Sequence, residues 1–168
     1  MTLREYCNSL SEKQKLALSI MLIKIALPVW EKYSEKNKLT YRDSIVWLKH
    51  SVNKNLLLDV IAEAEDILNN LDSSKTVEGK ERIKTLYKDF SDPVTALQDD
   101  DWELPRDVEK IFYSAYNLLN AIIFGDENTN GESSYYISAN MAIDVIDSEK
   151  FITEEEIKSI LKNIKLKL

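Results

Sequence analysis

The run Asp126-Glu127-Asn128-Thr129-Asn130-Gly131 comes nearest to a chemical motif in this chain. Oxygen-bearing side chains stand at its first, third and fifth positions, and Gly follows at the sixth. A twelve-residue calcium loop begins in the same way, because the ion needs several oxygens and the backbone must turn sharply. The twelfth position should supply a bidentate Glu, and here it is Ile137. The acidic run Glu154-Glu155-Glu156 lies too far along the chain to complete the same loop. With that carboxylate missing, the sequence predicts no calcium requirement, no structural metal and no cofactor. Asp, Asn and Gly also make ordinary turns.

Other reactive side chains are sparse. His50 and Cys7 are single representatives of their types, and neither has a partner for a triad or a metal site. His50 is expected near the C-terminal end of a second helix, where the dipole favours a protonated imidazole. Cys7 reads as a small core or surface thiol. Glu63, Glu65 and Asp66 read as a solvated helix face, since no Glu-x-x-His accompanies them. The chain is therefore expected not to be an enzyme.

Asp99-Asp100-Asp101-Trp102-Glu103 is the candidate partner-binding segment. Adjacent carboxylates repel one another and disfavour helix, which places them in a loop before Pro105. Acids attract Arg and Lys, and an indole adds contact area and a cation–π face. The alternative is that Trp102 packs inward and anchors the loop, as large aromatics commonly do.

The elements that must position these residues are helices. The 168 residues include only three Gly and three Pro, so little supports a turn-rich β fold. The sequence predicts an all-α fold, one domain over 1–168, as an irregular or orthogonal bundle of seven or eight helices. Ser9 and Ser11 offer capping boxes for a first helix with Leu16, Ile20, Ile23, Leu27 and Trp30 on one face, broken or restarted at Pro28. A second helix is expected from Thr40 or Asp43, burying Ile45, Val46, Leu48 and Val52. A third runs from Asn53 to about Asn70, and Asp72-Ser73-Ser74 breaks the pattern. Ile83, Leu86, Tyr87 and Phe90 mark a weaker helix burdened by Gly79. Asp92-Pro93 opens a short piece, and Pro105 opens a long helix ending at Gly125. Tyr135–Ile146 should bury Ile137, Met141, Ile143 and Val145. Thr153 and Glu156 cap the last helix.

The net charge is −7, unevenly distributed. Residues 1–54 carry ten basic and five acidic side chains, and residues 55–168 carry twelve and twenty-four. Such an acidic portion repels nucleic acid and steers basic partners, or simply keeps the protein soluble. Without a secretory core near the start or a membrane-length apolar run, the chain reads as cytoplasmic, with no membrane partner.

Ala26-Leu27-Pro28-Val29-Trp30-Glu31-Lys32-Tyr33 followed by Tyr41-Arg42-Asp43-Ser44-Ile45-Val46-Trp47-Leu48 resembles the opening helices of small helical bacterial immunity proteins. The resemblance carries over no catalytic residue. It implies a non-enzymatic inhibitor of a basic, nuclease-type toxin, acting by covering the toxin's cleft. A second expectation is a helical regulatory or adaptor protein that senses a small ligand or calcium through the 126–134 loop.

Overall fold

The computed structural model describes residues 1–71 and 75–167. Among these, eight helices and one short hairpin share a hydrophobic core that draws side chains from Cys7 to Ile164. The expected all-α class holds. The break at Asp72-Ser73-Ser74 lies outside the described residues.

Capping chemistry sets the early boundaries. Thr2 opens α1 (Leu3–Asn8), accepting from the Glu5 amide while its own amide donates to the Glu5 carboxylate. Ser9, expected to start a helix, instead closes this one. Ser11 and Gln14 form the capping box of α2 (Glu12–Ala26), and Pro28 restarts the chain as α3 (Pro28–Lys36), where its missing amide hydrogen costs nothing. Leu16, Ile20, Ile23, Leu27 and Trp30 are all buried, as their spacing requires.

The expected second helix is absent. Thr40–Arg42 (β1) pairs antiparallel with Lys49–Ser51 (β2), with Tyr41 opposite His50. Two features disfavour helix here. Thr40, Ile45, Val46 and Val52 are β-branched, and the Asp43 carboxylate captures the amides of Ile45 and Val46 at 2.7 and 3.0 Å. His50 consequently lies in a strand, stacked on Tyr41, and not at a helix C-terminus.

Helix α4 (Leu56–Asn69) follows, after Asn53 accepts a hydrogen bond from the Asn55 amide. Helix α5 (Lys75–Gln98) is a single element with Pro93 inside it, not two pieces. The apolar stripe Phe90, Val94 and Leu97 continues across the proline, so packing against the core outweighs the lost hydrogen bond. Gly79 marks a close approach to α4, since a Cβ there would stand 2.9 Å from Ile67 Cγ1. Glu63 and Asp66 also join these helices, both reaching Arg82, and Glu65 pairs with Lys24 of α2. The expected solvated face is thus ion-paired to its neighbours.

Helix α6 (Arg106–Phe124) runs through the centre, and α7 (Ser134–Glu149) lies closely against it. Small residues permit that approach: Ser114 and Ala115 on α6 match Ser138, Ala139 and Ala142 on α7. The Ser114 hydroxyl donates to the Ser138 carbonyl at 2.7 Å. Ile137, Met141 and Ile143, expected in the core, are only half-buried because the small-residue stripe occupies it. Thr153 and Glu156 cap α8 (Glu154–Lys167) as expected. Tyr6 of α1 donates to the Leu161 carbonyl, holding α8 to the N-terminal turn.

Trp102 is central to how the hairpin is held. Its indole is 6% exposed, meets Phe112 edge-on at 5.6 Å and stacks on Tyr41 at 5.6 Å. Trp102→Ala should cost about 3–5 kcal/mol of folding stability. In chemical denaturation the midpoint should fall, and amides of residues 40–51 should lose hydrogen-exchange protection first.

Candidate functional site

The acidic segment 99–103 is the C-terminal cap of α5. Asp100 adopts a left-handed conformation (φ 58°), and the Asp101 amide donates back to the Ala96 carbonyl at 2.8 Å. This is a Schellman-type closure, with Asp in the position usually given to Gly. The carboxylates therefore stand at the negative end of a 24-residue helix, against its dipole. Asp99, Asp100 and Glu103 are exposed, and no cation pairs with them among the described residues. Asp101 is engaged within the fold, accepting from the amide and hydroxyl of Ser44 at 3.1 and 3.0 Å. Trp102 faces inward, so its indole is not on offer to a partner. Of the five expected residues, the structure leaves Asp99, Asp100 and Glu103 at the surface.

The Ser44–Asp101 bonds bring a second feature beside the acidic turn. Between the two strands, Ile45, Val46, Trp47 and Leu48 project into solvent, with Ile45 at 83% and Trp47 at 70% exposure. The loop is well fixed. The amides of Asp43 and Trp47 bond to the carbonyls of Leu48 and Asp43, both at 2.9 Å, and the Arg42 guanidinium donates to the Trp47 carbonyl at 2.7 Å. Hydrogen bonds from the Val46 and Ile45 amides hold the Asp43 carboxyl below its usual value. Trp47 itself has φ 59°, a strained region for a bulky side chain. Four consecutive exposed apolar residues on a strained, hydrogen-bonded loop form a feature that soluble surfaces seldom carry without use.

Helical spacing alone places Ile45, Val46 and Leu48 on a buried face, whereas the fold leaves them in solvent. The signal was present: four apolar residues between Arg42 and Lys49 are too few for a helix, and Asp43-Ser44 is turn chemistry.

The 126–134 loop is built from its own oxygens. Asp126 accepts from Lys15 at 2.7 Å, from the Ser133 hydroxyl at 2.6 Å and from the Tyr135 amide at 3.0 Å. Asn128 accepts from the amides of Asn130 and Glu132. These are the oxygens a calcium loop would aim at an ion. Among the described residues no three His, Cys, Asp or Glu side chains are grouped to hold a metal. No described helix is long and apolar enough to cross a membrane. The chain matches no protein-family model, no curated protein and no solved structure, so only its own surface chemistry bears on function.

Burial alone would raise the Asp126 carboxyl, but hydrogen bonds from Lys15, Ser133 and the Tyr135 amide together with the Lys15 charge hold it below its ordinary value. The folded value thus lies below the unfolded value of about 3.9. Its stabilising effect is present above about pH 4 and fades as pH falls through the folded value. Urea unfolding should show Asp126→Asn less stable than the native chain at pH 7, with the gap closing below about pH 4.

Cys7 is buried, and desolvation pushes its thiol up to about 11, with Lys15 opposing and Asp126 reinforcing. At pH 8 a disulfide reagent should modify the native thiol more than about a hundredfold slower than the unfolded one.

Proposed function

We propose that this chain is a non-enzymatic protein-binding domain of the immunity type, which neutralises a basic, nuclease-type toxin by covering its active-site cleft. The observation that carries the binding reading is the exposed Ile45-Val46-Trp47-Leu48 loop fastened to the acidic turn by Ser44 and Asp101. An apolar centre beside uncompensated carboxylates has the composition of an interface that anchors through an aromatic and steers through charge. Asp99 and Asp100 oppose the α5 dipole, which is a cost in the free protein that a cationic partner would remove. Trp47, not Trp102, takes the role of the anchoring indole. Asp99, Asp100 and Glu103 take the place of substrate phosphates against the toxin's basic cleft.

The test is a binding measurement against a basic toxin domain encoded beside the gene for this chain, together with rescue of growth when the two are co-expressed. Association should be fast and should slow as salt rises. Trp47→Ala should keep its thermal stability yet weaken the complex by about 2 kcal/mol or more through faster dissociation. Asp99→Asn with Asp100→Asn should raise the melting temperature slightly while slowing association. Unchanged kinetics in both variants would remove this surface from the interface.

A further inference from the structure

A second concave site lies where α6 ends. Twelve residues separate Phe112, which underlies the hairpin, from Phe124, a distance of about 18 Å along a helix, so this site is separate from the hairpin loop. Gly125 has φ 90°, and the chain turns out of the helix there to enter the 126–134 loop. The resulting open cavity has a volume of about 580 Å³, and Tyr87, Tyr116, Asn120, Phe124, Glu127 and Thr129 are among its lining residues. That volume is within the usual range for small-ligand sites.

Its chemistry is one-sided. Tyr87 stacks on Tyr116 at 5.5 Å, and their hydroxyls are hydrogen-bonded at 3.2 Å. Phe124 meets Tyr87 edge-to-face at 5.4 Å but is 66% exposed, which leaves ring surface facing solvent. Glu127 is held in place by the bridge between its backbone and Ser133, while its carboxylate pairs with no cation among the described residues. Among the described residues, no Lys or Arg lines the cavity. The last carbonyls of α6 add the negative end of a helix dipole. Aromatic surface, one uncompensated carboxylate and a helix C-terminus all favour a cation. The planar, weakly hydrated guanidinium fits better than an ammonium because it can stack on a ring and fork onto a carboxylate together.

We propose that this cavity binds the guanidinium group of arginine, stacked against Phe124 with Glu127 as its counter-ion. The site stands independently of the toxin-neutralising reading, since it uses none of the hairpin residues.

The test is a titration of the full ¹⁵N-labelled chain with ethylguanidinium chloride at constant ionic strength, with ethylurea and ethylammonium as controls. Amides from Gly125 to Ser134 should shift saturably with ethylguanidinium. Ethylurea, which keeps the shape without the charge, should bind at least tenfold more weakly, and ethylammonium at least threefold. Phe124→Ala and Glu127→Gln alter exposed side chains and should keep the native spectrum elsewhere, yet each should weaken binding at least fivefold. Non-saturating shifts, equal binding of either control, or native affinity in both variants would overturn the assignment. Free arginine against N-acetyl-arginine amide then separates the two sources of the group: tighter binding of the free amino acid identifies a small metabolite, and tighter binding of the capped form identifies an arginine within a polypeptide.

Discussion

The packing around Phe112 is the interaction on which the rest depends. Its ring meets Trp30 of α3 at 5.7 Å, Phe90 of α5 at 4.7 Å and Trp102 of the α5–α6 connection at 5.6 Å. One fully buried side chain on the central helix thus joins α3, α5 and the connection that leads into α6. Trp30 also donates its indole hydrogen to the Lys54 carbonyl at 2.9 Å, which ties the segment leading into α4 to the same centre. Trp102 extends the stack outward to Tyr41 and, through it, to His50. A two-stranded hairpin is marginal in water by itself. This one persists because its inward-facing aromatics continue the core.

The opposite side of α6 is held differently. Against α7 the contact is made by Ser and Ala, so the two backbones approach closely and the buried hydroxyl of Ser114 must find an acceptor. Larger side chains would add apolar area but would force the helices apart. The helix is accordingly apolar over much of its circumference, with Phe112 and Tyr116 meeting aromatics of α3 and α5 and small residues facing α7. This arrangement carries the α6 C-terminus to the surface beside the 126–134 loop, where Lys15, Ser133 and the Tyr135 amide fix Asp126 and hence the position of Glu127.

Both surfaces proposed for binding sit where the fold tolerates a local cost. Trp47 and Asp100 occupy left-handed conformations, the three Asp residues face the wrong end of a helix dipole, and Phe124 leaves most of its ring in water. Each is affordable because the neighbouring core is over-determined: the hairpin base is stacked on Trp102, and the α5 cap is closed by hydrogen bonds from Asp101 and Trp102 to Ala96. Costs of this kind gather where a surface is shaped for something other than stability.

Local chemistry in the sequence was sufficient for the all-α class, the capping boxes at Ser11 and Thr153, the restart at Pro28, the stop at Gly125 and a non-helical acidic run before Pro105. Caps, prolines and glycines act over a few bonds, so neighbouring residues alone decide them. Which apolar residues were buried was another matter. Helical spacing marked Ile137, Met141 and Ile143 for the core, but the close approach of α6 gave that place to Ser138, Ala139 and Ala142. The same spacing marked Ile45, Val46 and Leu48 for burial, but Asp43 captured the local amides and left those side chains in solvent. The inward turn of Trp102 likewise required Phe112 and Tyr41, which lie ten residues ahead of it and some sixty behind. Periodicity records that a residue is apolar and where it recurs. Only tertiary packing, in which one side chain excludes another from limited space, decided which apolar side chains formed the core and which were left exposed to solvent.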